Sequence, residues 1–128
     1  MKENEIATVV IDAAIEVHRT LGGPGLLEVV YEEALSFELE SRGLTVTRQK
    51  SVPLLYKGRR LASDLRLDLL VNDLVIVECK ATIAYTSLFE AQALTYLRLC
   101  GLRLALVVDF GERQARQGIH RVVNGLQE

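Results

Sequence analysis

The hydrophobic repeat of this chain changes period at Gly43, and that change restricts the fold more than any other feature. Before it, Ile6, Val9, Val10, Ala13, Val17 and Leu21 recur at helical spacing and predict an amphipathic helix over residues 4–21. Gly22 follows as a glycine C-cap, and Gly22-Gly23-Pro24-Gly25 reads as a helix–helix connection too short to separate domains. Leu27, Val30, Tyr31, Ala34, Leu35 and Phe37 predict a second helix over residues 26–42, closed by Gly43. After Gly43 the period falls to two. Residues 44–48, 52–56 and 64–69 read as strands, with a Lys57-Gly58-Arg59 turn after the second. Leu74-Val75-Ile76-Val77-Glu78 is nearly all apolar, as a strand covered on both faces must be, and Asn72-Asp73 before it is a hairpin turn signal.

Ser87-x-x-Glu90 is a capping box opening a third helix over residues 87–100, apolar on most sides and therefore expected to be buried. Leu104–Val108 and Ile119–Val123 complete the strands, the last at an edge. The order α-α-β-β-β-β-α-β-β predicts one α/β (α+β) domain over residues 1–128, a mixed sheet with helices packed on it. A length of 128 residues is one domain's worth.

Composition excludes several classes. With 49% apolar and 25% charged residues the chain is neither disordered nor fibrous. No apolar stretch approaches the roughly 18 residues of a membrane span, and the polar N-terminus has no signal-peptide layout. Cys79 and Cys100 cannot build a disulfide framework or an all-cysteine zinc site, so a cytoplasmic location is expected. Trp is absent and aromatics make up 5%, which leaves few stacking platforms for single-stranded nucleic acid. The net charge of −2 does not advertise nucleic-acid binding, but residues 1–42 carry −6 and residues 43–128 carry +4. Solvated surface charge gives the same tally.

Chemistry concentrates between Arg66 and Lys80. Asp68 lies on one strand of a hairpin, Glu78 follows ten residues later, and Lys80 comes two positions on. Period-two geometry puts Glu78 and Lys80 on one face and Cys79 on the other. Charges ending an apolar strand must be compensated. A divalent cation on Asp68 and Glu78 does so, since Mg²⁺ favours carboxylate oxygens and retains water. A bound metal acidifies water and polarises a phosphoryl oxygen, and Lys80 offsets developing charge. A two-residue Asn72-Asp73 loop would pair Asp68 with Val77 and send Glu78 to the opposite face. Convergence therefore demands an odd loop or a bulge. The competing reading is a surface hairpin with a carboxylate–lysine pair.

The wider context is Gly25-x-x-Glu28-x-x-Tyr31, Arg66-x-Asp68, Glu78-x-Lys80, Ala91-Gln92 with Tyr96-Leu97, and Asp109-Phe110-Gly111. In this order the motifs resemble the GxxExxY protein family, a branch of the PD-(D/E)XK nuclease superfamily, over residues 5–124. The resemblance implies a restriction-endonuclease-like core and a Mg²⁺-dependent phosphodiester-cleaving site, Mn²⁺ being the natural substitute. It assigns Asp68, Glu78 and Lys80 to the signature, Glu28 to the acid supplied by an N-terminal helix, and Gln92 to the glutamine after the lysine. Asp68, Glu78 and Glu28 are then the expected metal ligands, with no organic cofactor. Two positions depart from the family pattern. Phe89 stands where a histidine is usual, and Asp109 where an asparagine is.

The other candidates also have bland readings. Glu28 also suits a helix N-terminal dipole, although Tyr31 shares its face. Gln92 is expected on the sheet-facing side, as a site residue or a satisfied core amide. Glu90 reads as a cap, Cys79 as a small core residue, and His18 and His120 as structural or surface groups. Lys57, Arg59, Arg60, Arg48 and Lys50 read first as a solvated hairpin tip and second as cations tracking phosphates. The expected partner is DNA, with a homodimer left open and no membrane. A nuclease, a non-catalytic nuclease-fold module binding nucleic acid or protein, and a structural protein self-associating through its first helix or an edge strand are the three readings.

Overall fold

A computed structural model describes residues 1–127. Helices α1 (Glu3–Thr20) and α2 (Glu28–Ser41) precede strands β1 (Val46–Tyr56), β2 (Arg59–Val71) and β3 (Val75–Lys80). Helix α3 (Leu88–Cys100), β4 (Leu104–Asp109), a 3₁₀ turn at Ala115–Gly118 and β5 (Ile119–Val123) follow. The strands form one sheet in sequence order, antiparallel except for the β3–β4 pair that α3 connects. The fold is the α+β arrangement of a mixed sheet with helices packed on it that the sequence predicts, as the core implied by the resemblance requires.

Alternation within the strands builds two cores. Leu69, Val71, Val75, Val77, Cys79, Leu104, Leu106 and Val108 pack against α1 and α2 on one face. Helix α1 meets them with Ile6, Val10, Ala13 and Val17. On the other face Leu70, Ile76, Ala105 and Val107 pack against Ala93 and Leu97 of α3. Helix α1 ends as expected: Gly22, at φ +90°, donates its N–H to the Arg19 carbonyl at 3.2 Å.

Three expectations need correction. Residues 44–48 and 52–56 belong to one strand, β1, and its partner β2 starts at Arg59 rather than 64. Most of the intervening side chains face water on this long ribbon, so their polarity reflects exposure and not a break in the strand. Helix α3 is not buried on most sides. Only Ala93 and Leu97 are fully covered while Leu88 and Leu99 are exposed, because no further layer lies outside it. The Ser87–Glu90 capping box does not form. Ser87 already has helical dihedrals, the Thr86 hydroxyl accepts the Leu88 N–H at 3.3 Å, and Glu90 accepts from the Tyr85 hydroxyl at 3.1 Å.

The hairpin between β2 and β3 settles the register. Asn72 and Asp73, both left-handed, make the turn, and Leu74 N–H closes it on the Val71 carbonyl at 3.0 Å. The ladder then pairs Val71 with Val75, so Leu74 is one residue extra. The loop is odd. Leu69 pairs with Val77, which brings Asp68 across from Glu78.

A second irregularity lies on the other side of Asp68. Leu69 and Val71 belong to the α1–α2 core, whereas Leu67 and Leu65 belong to the α3 core. The ribbon turns over between them, opposite Gln49, which is left-handed at φ +51°. Beyond this pivot Val52, Leu54, Leu65 and Leu67 pack toward α3, and the rest of the ribbon is largely exposed.

Tyr31 holds the start of α2. Its hydroxyl donates to the Gly23 carbonyl at 2.7 Å and accepts the Leu26 N–H at 3.1 Å, while its ring stacks on Phe110 at 4.6 Å. This clamp ties the connection to the sheet core and sets Glu28 as the first residue of α2. Tyr31→Phe keeps the stack but strands a carbonyl and an N–H, and should cost about 1–2 kcal/mol. Urea unfolding should show a lower midpoint at unchanged slope; an unchanged midpoint would remove the clamp from the account.

Candidate active site

Where the β2–β3 ladder stops, side chains take over from carbonyls. The Asp68 N–H donates to Glu78 Oε2 at 2.8 Å, and the Cys79 N–H donates to Asp68 Oδ2 at 2.9 Å. The two carboxylates therefore sit face to face between strands that are parting. Alternation along β3 places Glu78 and Lys80 on the side of Ile76, toward α3, and Cys79 in the opposite core. Lys80 ends β3 with its ammonium 4.8 Å from the centre of the Phe89 ring.

Burial, then the negative charge of Asp68, pushes the Glu78 carboxyl up to about 8. Glu28 is raised for the same two reasons in the same order, although the residue as a whole is exposed. Two carboxylates held against their preference to share space are the mark of a functional cleft. Glu78 Oε1 makes no hydrogen bond among the described residues, and Asp68 Oδ1 has only a long 3.4 Å contact from the Gln49 amide.

Hard oxygen donors of this kind suit a divalent cation that keeps most of its waters. Asp68 and Glu78 would hold it. Among the described residues no three His, Cys, Asp or Glu side chains form one metal cluster, so Glu28 stands within electrostatic reach without joining the pair. Gln92 is exposed and not sheet-facing; Ala93 and Leu97 occupy that side instead. It lies three residues after Phe89 and four before Tyr96, on the same helical stripe. Phe89 meets Lys80, and the Tyr96 phenol is raised by burial and then by the charges of Glu78 and Asp68. Gln92 therefore shares a helical stripe with two rings that neighbour Lys80 and the carboxylate pair.

A family model for the PD-(D/E)XK nuclease superfamily matches residues 4–122, and no curated protein and no solved structure matches the chain. The chain belongs to the PD-(D/E)XK nuclease superfamily.

Two neighbours of the superfamily signature carry no assignment from sequence, and a third, Asp109, stands there only as a departure from the family pattern. Glu32, one turn after Glu28, is buried and accepts from Arg48 at 3.0 Å and from the Gln49 amide at 2.8 Å. Its i,i+4 spacing from Glu28 was the available signal. Gln49 reaches both Glu32 and Asp68 and carries no signal, since its position depends on the pivot. Asp109 pairs with Lys80 in the parallel β3–β4 register and is fully buried. Its Oδ1 accepts the N–H groups of Thr82 at 3.0 Å and Gly111 at 2.9 Å, while Oδ2 has no hydrogen-bond partner among the described residues. The late Asp-Phe-Gly motif thus fixes the chain just after Lys80. A Cβ on Gly111 would collide with the Thr82 backbone, so only glycine allows that approach.

Because Glu78 is raised from 4.5 to about 8 in the fold, its contribution to stability is complete below the unfolded value. It is lost as pH climbs through the folded one. In the presence of a chelator, Tm should fall from pH 6 to pH 9. Glu78→Gln, whose amide oxygen still accepts the Asp68 N–H, should flatten that profile and raise Tm at pH 8. Parallel profiles for the two proteins would show that the Glu78 charge is not the cause.

Proposed function

We propose that this superfamily member is a Mg²⁺-dependent nuclease of the GxxExxY type, hydrolysing phosphodiester bonds of DNA in the cytoplasm. The observation that carries the reading is the odd β2–β3 loop, whose register sets Asp68 opposite Glu78 where the strands part. Among the described residues no helix is long and apolar enough to cross a membrane, and both cysteines are free, as a reducing compartment allows.

Each residue then has a physical task. Asp68 and Glu78 would hold the cation, whose chemistry there would be to polarise the phosphoryl oxygen and acidify water. The two backbone N–H donors hold the carboxylates in place before any ligand arrives, so little reorganisation is left for the reaction. Lys80 supplies positive charge beside a phosphate that becomes more negative in the transition state. Glu28 accepts a proton or orients water. Gln92 contacts the substrate backbone.

A second reading, a non-catalytic module that keeps the fold, is favoured by one contact. The Lys80 ammonium lies over Phe89, where the resembling family usually has histidine. Titration calorimetry with Mg²⁺ or Mn²⁺ separates the two readings. Purified protein incubated with plasmid and oligonucleotides in either ion should cleave them, and Asp68→Asn should lose at least about a hundredfold in rate. Metal binding without cleavage would favour the module. Equal cleavage by both proteins would place the chemistry elsewhere.

A further inference from the structure

The charge of the chain is divided between two parts of the fold. Residues 50–66, the ribbon beyond the pivot, carry five bases and one acid, whereas the rest carries ten bases against sixteen acids. The ribbon is a cationic arm on an anionic body. Arg60 is paired with Asp64 at 2.8 Å, and Arg48 with Glu32. Lys50, Lys57, Arg59 and Arg66 form no ion pair within 4.0 Å among the described residues, although the Arg66 charge reaches Asp64. The tip also exposes Leu55 and Tyr56, at 67% and 61%, with Lys57 beside the Tyr56 ring.

We infer that the β1–β2 ribbon is a nucleic-acid docking arm that leads a phosphodiester backbone from its tip to Asp68. This rests on the nuclease reading and adds the surface that receives the polymer. The arm and the site share their backbone, since Asp68 lies on β2 and Gln49 on β1 at the pivot. From Arg59 to Asp68 the strand spans about 30 Å, close to one turn of duplex. A backbone held by Lys57 and Arg59 at one end and by Lys50 and Arg66 near the other therefore reaches the carboxylates with several phosphates engaged. The anionic body repels the same polymer, so productive contact is confined to the arm. The alternative occupant is a second copy, whose α1–α2 groove of about 560 Å³ is rimmed by Glu16, Glu33 and Glu38 around the exposed Phe37. The arm's continuity with the site favours nucleic acid.

Fluorescence anisotropy of labelled duplex and single-stranded oligonucleotides, in chelator so that no cleavage occurs, tests this directly. Lys57→Gln with Arg59→Gln should weaken binding at least tenfold at about 0.1 M salt and reduce the salt slope by about two. Arg98→Gln with Arg116→Gln removes the same charge from exposed body positions and should leave the slope unchanged. Equal losses in both pairs, no loss in the arm pair, or no binding by the wild type would overturn the arm. A change of oligomeric state on gel filtration, confined to the arm pair and without loss of nucleic-acid binding, would assign the arm to a second copy instead. Binding through the arm without cleavage in Mg²⁺ would leave the arm standing and remove the nuclease.

Discussion

Two backbone N–H groups, those of Asp68 and Cys79, are satisfied by carboxylates from the facing strand. A regular ladder would have placed carbonyls there and kept β2 and β3 in contact to their ends. With side chains in those positions the ladder stops, and the sheet opens at the carboxylate pair. The cost is electrostatic, since Glu78 is buried beside Asp68 and held far from its ordinary pKa. An opening of this kind suits a positively charged ligand, because an apolar one would leave the two acids uncompensated.

The surrounding elements are arranged by that opening. Helix α2 brings its first residue, Glu28, within electrostatic reach of it because Tyr31 anchors the preceding loop and stacks on Phe110 at the end of β4. Asp109, next to Phe110, holds Thr82 and Gly111 and so steadies the chain beyond Lys80. Motifs far apart in sequence thus meet through one stack and one buried carboxylate. On the open side the ribbon turns over at Gln49 and Asp68, so that the most basic segment of the chain begins where the site ends.

Much of this was legible from residue order. The period change at Gly43, the glycine cap at Gly22, the nearly unbroken apolar run of β3 and the mixed sheet with helices packed on it are local or nearest-neighbour properties, and they appear where expected. Glu78 and Lys80 stood out because charged groups rarely end a strand buried on both faces, and Asp68 because it lies ten residues before Glu78 on the facing arm of a hairpin. The misreadings came where side chains face water. The ribbon looked like two separated strands because its middle is polar, and Gln92 looked sheet-facing because helical phase was judged without knowing which side α3 turns to the sheet.

Sequence alone determined the alternation of helix and strand, the apolar faces and the set of acids and bases available for chemistry, since these follow from spacing along one backbone. Tertiary structure decided what those groups do to one another. The one-residue excess at Leu74 set the register, the left-handed Gln49 set the pivot, and the meeting of α2 with β4 brought Glu32 and Asp109 toward the carboxylate pair. The reason is physical. Register and packing depend on contacts between segments whose separation in the chain says nothing about their distance in space, and a shift of one residue reverses every side chain on a strand.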